Sequence, residues 1–201
     1  MAKIRRVSKI TVLLLAVSAI VGNTQKPSAY IHEMEQAVLP VGSIKSSSCH
    51  NVEISPGSTP VTFVLATGKD ERGEVLWSVY SADAIRFSFD MSDLNEDKVH
   101  TSMVRSAASI SKHQDGTPYP AEDLAIVFIL ASNQAKKITV HAVDSDELSK
   151  LQPNGDKQFA ESDMGAKTEL RMAVLVPFSD KERAEAFVSA LKKAIIACKA
   201  Q

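Results

Sequence analysis

The chain has 201 residues and a mass of 21.7 kDa, is 44% apolar and 23% charged, and contains 8 Gly and 8 Pro. That composition fits one ordinary globular domain and excludes a disordered tail or a collagen-like chain. With 23 Lys and Arg against 24 Asp and Glu the net charge is −1. No positive excess is present to hold a polyphosphate backbone, so nucleic acid is excluded as a general partner.

The N-terminus reads as an address. Lys3, Arg5, Arg6 and Lys9 precede any acidic residue, and Ile10 to Gly22 is apolar apart from Thr11 and Ser18. This is the plan of a secretory signal peptide spanning residues 1–22. A helix over that apolar run reaches roughly 20 Å, short of the ~30 Å hydrocarbon core of a bilayer, so a permanent span is the weaker reading. Ser18, Ala19 and Gly22 offer cleavage after Ala19 or Gly22, with an uncleaved anchor as the alternative and the only route to a membrane. Val7, Ser8 and Lys9 after Arg5-Arg6 lack the apolar pair of a twin-arginine signal, and no Cys follows that could carry a lipid. Removal of the first 22 residues leaves 19 basic against 24 acidic groups, a mildly acidic exported protein, periplasmic or secreted.

Export brings the two cysteines, Cys49 and Cys198, into contact with oxidant, and two is the smallest number that can pair. Either they form a disulfide, the preferred reading, or they are two buried thiols behaving as small apolar side chains. Residues 23–48, with Pro27, Pro40, Gly42 and Ser46 to Ser48, read as a linker or lead-in segment, with one short helix-like stretch at Ile31, Met34 and Val38. The domain proper is expected over 49–201.

Alternation then predicts strands. Val61, Phe63 and Leu65 line one face of the first. Gly68 to Gly73 turns the chain into a second, Glu74 to Tyr80, and Ser81-Ala82-Asp83 into a third around Ile85, Phe87 and Phe89. These three are expected to be consecutive and antiparallel. A polar corner from Met91 to Asp97 leads to a weaker strand over 98–105. Residues 106–121, with Asp115-Gly116, Pro118 and Pro120, form one insertion. Leu124 to Ala131 is the strongest strand, apolar on both faces, followed by Lys137 to Val143. A solvated second insertion occupies 144–167, and Thr168 to Val176 returns as a strand. Ser179 to Ala200 is a helix whose Ala184, Phe187, Leu191, Ala194, Ile195 and Cys198 recur every three or four residues. Ser179 and Glu182 have the S-x-x-E spacing of a capping box.

The predicted fold is therefore mainly β (α+β): about seven antiparallel strands in a barrel or bent sheet, capped by one C-terminal amphipathic helix. Phe87-Ser-Phe-Asp-Met-Ser-Asp-Leu94 with Lys98-Val99, and Val176-Pro-Phe-Ser-Asp-Lys-Glu-Arg183 running into Ala184 to Leu191, resemble PH-like domains. The resemblance implies a seven-strand barrel closed by the final helix, and a binding role toward phosphoinositides, peptides or proteins. In this chain the turn that is basic in lipid-binding members reads Lys69-Asp70-Glu71-Arg72, whose charges cancel, and an exported protein does not meet cytosolic phosphoinositides. Phosphoinositide binding is rejected on both grounds. A lipocalin-like barrel is the other architecture, but Gly73 and Trp77 lack its G-x-W spacing.

Residues for catalysis are not evident. His32, His50, His100, His113 and His141 never form H-x-x-x-H or H-E-x-x-H, and G-x-S-x-G, a P-loop and G-x-G-x-x-G are all missing. His113-Gln114-Asp115 reads as a surface loop. Cys49-His50 would place a thiolate and its base on opposite faces of a strand. Asp144 to Glu147 with Asn154 to Asp156 is a poor calcium loop because Leu148 stands where an oxygen ligand belongs. Asp90, Asp93, Asn95 and Asp97 read as turn chemistry. No catalytic, cofactor-binding or metal-binding residue is nominated. The expected function is that of an exported, non-catalytic binding module whose partner is an unidentified protein or peptide. The alternatives are a carrier of a small apolar ligand, or an enzyme with a dispersed site built from His100, His141 and the loop around Asp115.

Overall fold

The computed structural model describes residues 26–39, 42–46, 48–57, 60–106, 123–144 and 165–201. Ten strands are seen there: β1 (Ser43–Lys45), β2 (Val52–Ser55), β3 (Val61–Lys69), β4 (Val75–Ala82), β5 (Ala84–Phe89), β6 (His100–Ser106), β7 (Asp123–Leu130), β8 (Ile138–Val143), β9 (Ala166–Arg171) and β10 (Ala173–Phe178). They form two antiparallel five-stranded sheets, ordered β1-β2-β5-β8-β9 and β10-β7-β6-β3-β4. Two helices, α1 (Pro27–Val38) and α2 (Lys181–Lys199), complete the fold. The mainly antiparallel architecture with its C-terminal helix is as expected, but it is two bent sheets and not one closed barrel.

The three extra strands have simple origins. β1 and β2 have only three and four residues, too few to show a period. The expected strand Thr168 to Val176 is two strands, β9 and β10, which break at Met172 and belong to different sheets. The same happens one level earlier. β4 pairs with β3, but β5 pairs with β2 and β8, so the expected three-strand meander ends at Asp83, where the chain changes sheets. In each case a single residue makes the corner, and alternation alone cannot distinguish it from a continuing strand.

One core unites α1, α2 and one face of each sheet. Val52, Ile54, Phe87, Ile138 and Val140 come from the first sheet, Val127, Ile129, Val174 and Val176 from the second, and all are at most 1% exposed. Every residue of the predicted α2 stripe is buried in it. Full burial of a phenylalanine such as Phe187 stabilises by about 1.5–3 kcal/mol, and Phe178 packs on it with ring centroids 5.5 Å apart. A smaller cluster, Phe63, Ala82, Val104 and Ile126, fills the opposite face of the second sheet. β7 therefore serves both cores, Ile126 pointing one way and Ala125 and Val127 the other, which explains why it is apolar throughout.

Residues 27–38, expected as part of a linker, are an integral helix. Pro27 opens it, as its fixed φ allows in the first turn, and Ile31, Met34, Ala37 and Val38 are buried. Lys193 of α2 pairs with Glu33 at 3.6 Å and lies 5.8 Å from the centre of the Tyr30 ring. At the end of α1 only glycine fits: a Cβ on Gly42 would lie 2.8 Å from the Pro56 carbonyl oxygen and 2.9 Å from the Val38 Cβ. The α2 cap also differs from the expected box. Asp180, not Ser179, is the N-cap, accepting from the Glu182 and Arg183 amides, a contact worth about 1 kcal/mol.

Cys49 and Cys198 form a disulfide with their Cα atoms 5.6 Å apart. It joins the segment before β2 to the last turn of α2. No helix of the described residues is long and apolar enough to cross a membrane. The expected signal segment 1–22 lies outside the described residues, as do 107–121 of the first expected insertion, 106–121, and 145–164 of the second, 144–167; Ser106 ends β6, and Ala166 and Lys167 begin β9.

Candidate interaction surface

Each sheet has two outer strands, and an outer strand exposes unpaired backbone donors and acceptors unless something guards it. In the first sheet, β1 is only three residues long, and β9 carries Lys167, Glu169 and Arg171. In the second, β10 contains Pro177 and is buried at Val174, Val176, Pro177 and Phe178. These are the ordinary protections of an edge. β4 is the exception, although it comes close to β10, the other outer strand of its sheet, without pairing with it. Its eight residues, VLWSVYSA, include no charge and no proline.

The β3–β4 hairpin presents this edge. Asp70 builds the turn: its carboxylate accepts from the Arg72 and Glu74 amides at 2.9 and 2.8 Å, while its own amide donates to the Glu74 carbonyl. Gly73 takes φ +82°, a conformation costly for other residues. A bulge between Ala66 and Gly68 bends β3, and Ser78 donates to Thr67 across the pair at 3.2 Å. Along β4 the exposed side chains are Val75 (43%), Leu76 (49%), Val79 (63%) and Tyr80 (39%). Strand alternation puts Val75 and Val79 on one face and Leu76 and Tyr80 on the other. Tyr80 stacks on Phe63 with centroids 5.8 Å apart, which anchors the inner side of the strand in the smaller core.

At its base the hairpin is held to the rest of the molecule by ions. Asp83, the corner after β4, receives both terminal nitrogens of Arg171 at 2.6 and 2.7 Å, and Arg171 immediately precedes the second corner, Met172. Arg171 also contacts Glu169. The hydrogen bond to Asp83 raises the Arg171 pKa further. The two side chains are 25% and 15% exposed, so water weakens the pair only in part. Replacing Arg171 by alanine is expected to destabilise the protein by about 2 kcal/mol, because a half-buried carboxylate loses a bidentate, charge-assisted partner. Lysine should recover less than half, lacking the planar fork. Urea unfolding measures both; a loss under about 0.5 kcal/mol for alanine would reduce the clamp to an ordinary surface pair.

The histidines considered for chemistry do not meet. His100 stacks on Phe128 in the second sheet, with centroids 4.7 Å apart, and its Nδ1 lies 2.8 Å from the Lys98 carbonyl oxygen. His141 belongs to the first sheet, with Nδ1 2.9 Å from the Thr168 hydroxyl. His113 and Asp115 lie outside the described residues. Cys49 is bonded to Cys198 and so supplies no thiolate to His50, which faces Asp90 at 3.4 Å. The Asn51 amide donates to Asp90 at 2.7 Å and, with His50, holds its carboxyl below the usual range. That stabilising share is present above the ordinary carboxylate pKa and is lost as pH falls through the lowered value.

The acidic corner around Asp90 resolves into local pairings. Asp93 binds Lys136 at 2.7 Å, raising the lysine pKa through that hydrogen bond, and the Asn95 side chain accepts from the Asp97 amide. Met91 and Leu94 of the same corner are fully buried, so it is polar only outward. Among the described residues no three His, Cys, Asp or Glu side chains group so as to hold a metal ion. Compared with protein-family models, curated proteins and solved structures, the chain matches none.

Proposed function

We propose that this protein is an exported binding module that accepts an extended segment of a protein partner along β4, by strand addition. The observation that carries the reading is the contrast among the four outer strands: three are guarded by shortness, charge or burial, whereas β4, the longest, carries neither charge nor proline and exposes Val75, Leu76, Val79 and Tyr80. In strand addition the backbone supplies affinity while alternate side chains supply specificity. Here Val75 and Val79 on one face, and Leu76 and Tyr80 on the other, would favour partners with apolar residues on both sides. Export is supported by the signal-like residues 1–22 and by the disulfide, a bond that persists in oxidising compartments. The PH-like resemblance supports a binding role in general terms and does not choose the partner.

Weighing against a carrier of small apolar ligands, both faces of the second sheet are filled by their own side chains, Phe63, Val104 and Ile126 on one and Val127, Ile129 and Val174 on the other. Panning a random-decapeptide phage library against the oxidised protein tests the strand-addition reading. Enriched peptides should alternate apolar residues and lose at least about tenfold in affinity for Val79→Lys, a charge placed on that strand. Enriched peptides that bind the lysine variant equally, or no enrichment at all, would refute it.

A further inference from the structure

We propose that the corner from Asp90 to Glu96 is a template that sets Cys49 and Cys198 against each other, so that an oxidant meets two thiols already aligned. The corner does not involve β4, so its role stands whichever partner that strand accepts.

Two distant segments must meet before the bond can form. Cys49 lies ahead of β2 and Cys198 in the last turn of α2, 149 residues apart in sequence. Closing so long a loop costs entropy, which noncovalent contacts must offset. The corner itself is built from the middle of the chain. Met91 and Leu94 are fully buried in the main core. The Asn95 amide donates to the Leu130 carbonyl at 2.9 Å, and the Ser132 amide to the Asp93 carbonyl at 2.7 Å. Lys136 pairs with Asp93 at 2.7 Å. The end of β7 and the link from β7 to β8 therefore hold the corner without help from either cysteine segment.

Each cysteine segment docks on a different part of it. On the Cys49 side, the Met91 amide donates to the Cys49 carbonyl at 2.9 Å, the Asn51 amide donates to Asp90 at 2.7 Å, and His50 faces the same carboxylate at 3.4 Å. Asn51 takes φ +48°, a left-handed conformation that asparagine tolerates better than most residues, where the chain bends into β2. On the Cys198 side, α2 packs against two 3-10 turns of the corner, Met91–Asp93 and Glu96–Lys98. Lys199, next to Cys198, pairs with Glu96, and this hydrogen bond holds the Glu96 carboxyl below its ordinary range. Asp90 and Glu96 thus take one segment each. The cysteines are left with Cα atoms 5.6 Å apart, within the span of a disulfide.

With oxidised glutathione as the oxidant, one cysteine thiolate attacks it, forms a mixed disulfide and releases one glutathione. The other cysteine thiolate then attacks the protein-side sulfur, which forms the Cys49–Cys198 bond and releases the second glutathione. Two protein thiols are oxidised, one glutathione disulfide is reduced to two thiols, and these take up the two protons. The template acts on the second step, an intramolecular one whose rate follows how often the two sulfurs meet.

The reduced full chain, mixed with oxidised glutathione, quenched by alkylation at intervals and weighed intact, gives the rate of each step. Asp90→Asn and Glu96→Gln should each slow the second step about threefold and together about tenfold, because each loosens a different segment. The first step needs one thiol only and should not slow. About 1 M sodium chloride should slow the second step in the wild type and leave it unchanged in the doubly substituted chain, whose charges at the corner are gone. Arg171→Ala, which destabilises the fold away from the corner, separates templating from a general loss of stability. It should close within about twofold of the wild type.

A doubly substituted chain that closes within about twofold of the wild type overturns the proposal, as does an Arg171→Ala chain slowed to the same degree. If the double variant does not fold once oxidised, Glu96→Gln decides alone: slower closing supports the template and an unchanged rate overturns it.

Discussion

Replacing both Cys49 and Cys198 by alanine should lower stability by about 3–5 kcal/mol. The bond closes a loop with a sequence separation of 149 residues, and chain-entropy accounting gives about 5 kcal/mol as the upper figure for so long a loop. At roughly 2–4 °C per kcal/mol for a chain of this size, the melting temperature should fall by about 6–20 °C. Reduction of the wild type should approach the same value. The native protein from fractionated source cells should carry thiols that alkylate only after reduction, and a mass short by the signal segment. A double variant that melts within about 2 °C of the wild type would show that the bond merely records proximity.

Met34→Ala tests whether α1 belongs to the domain. Met34 is fully buried between α1 and the main core, so its truncation should cost about 2–5 kcal/mol, the usual range for a large apolar side chain removed from a packed interior. Chemical denaturation reads the value directly. A helix resting on the surface as a tether would lose less than about 0.5 kcal/mol. The comparison matters because the segment looks like a linker by composition. Val38 and Gly42 account for the difference: the close approach of Gly42 to Pro56 and Val38 locks the exit of α1 against the end of β2.

What the residues reveal unaided follows from the range of the interactions involved. α2 shows plainly because its stripe, Ala184 through Cys198, is written every three or four residues over about four turns. α1 carries the same signal at Ile31, Met34 and Val38, too few positions to outweigh the flanking prolines and serines. The long strands β3, β4 and β7 are visible as alternation or as an unbroken apolar run. Their grouping is not. Which strand pairs with which depends on contacts between distant residues, so the turn at Asp83 was legible but not the change of sheet made there, and the corner at Met172 leaves no local mark. Cys49 and Cys198 could be paired by counting because there were no other cysteines to consider. β4 was partly legible, read from the sequence as Glu74 to Tyr80 with Val75, Trp77 and Val79 on one side. Its position at the border of a sheet required the fold.

The covalent path through the molecule has one more consequence. Between Cys49 and Cys198 run β2 to β10 and nearly all of α2, so the bridge closes this part of the chain into a single ring, with α1 and β1 projecting on one side and Lys199 to Gln201 on the other. A protease that cuts one peptide bond anywhere on that ring opens it without releasing either piece. Damage of that kind would remain invisible on a non-reducing gel, and a nicked molecule could retain both halves of its structure long after the chain itself had ceased to be continuous.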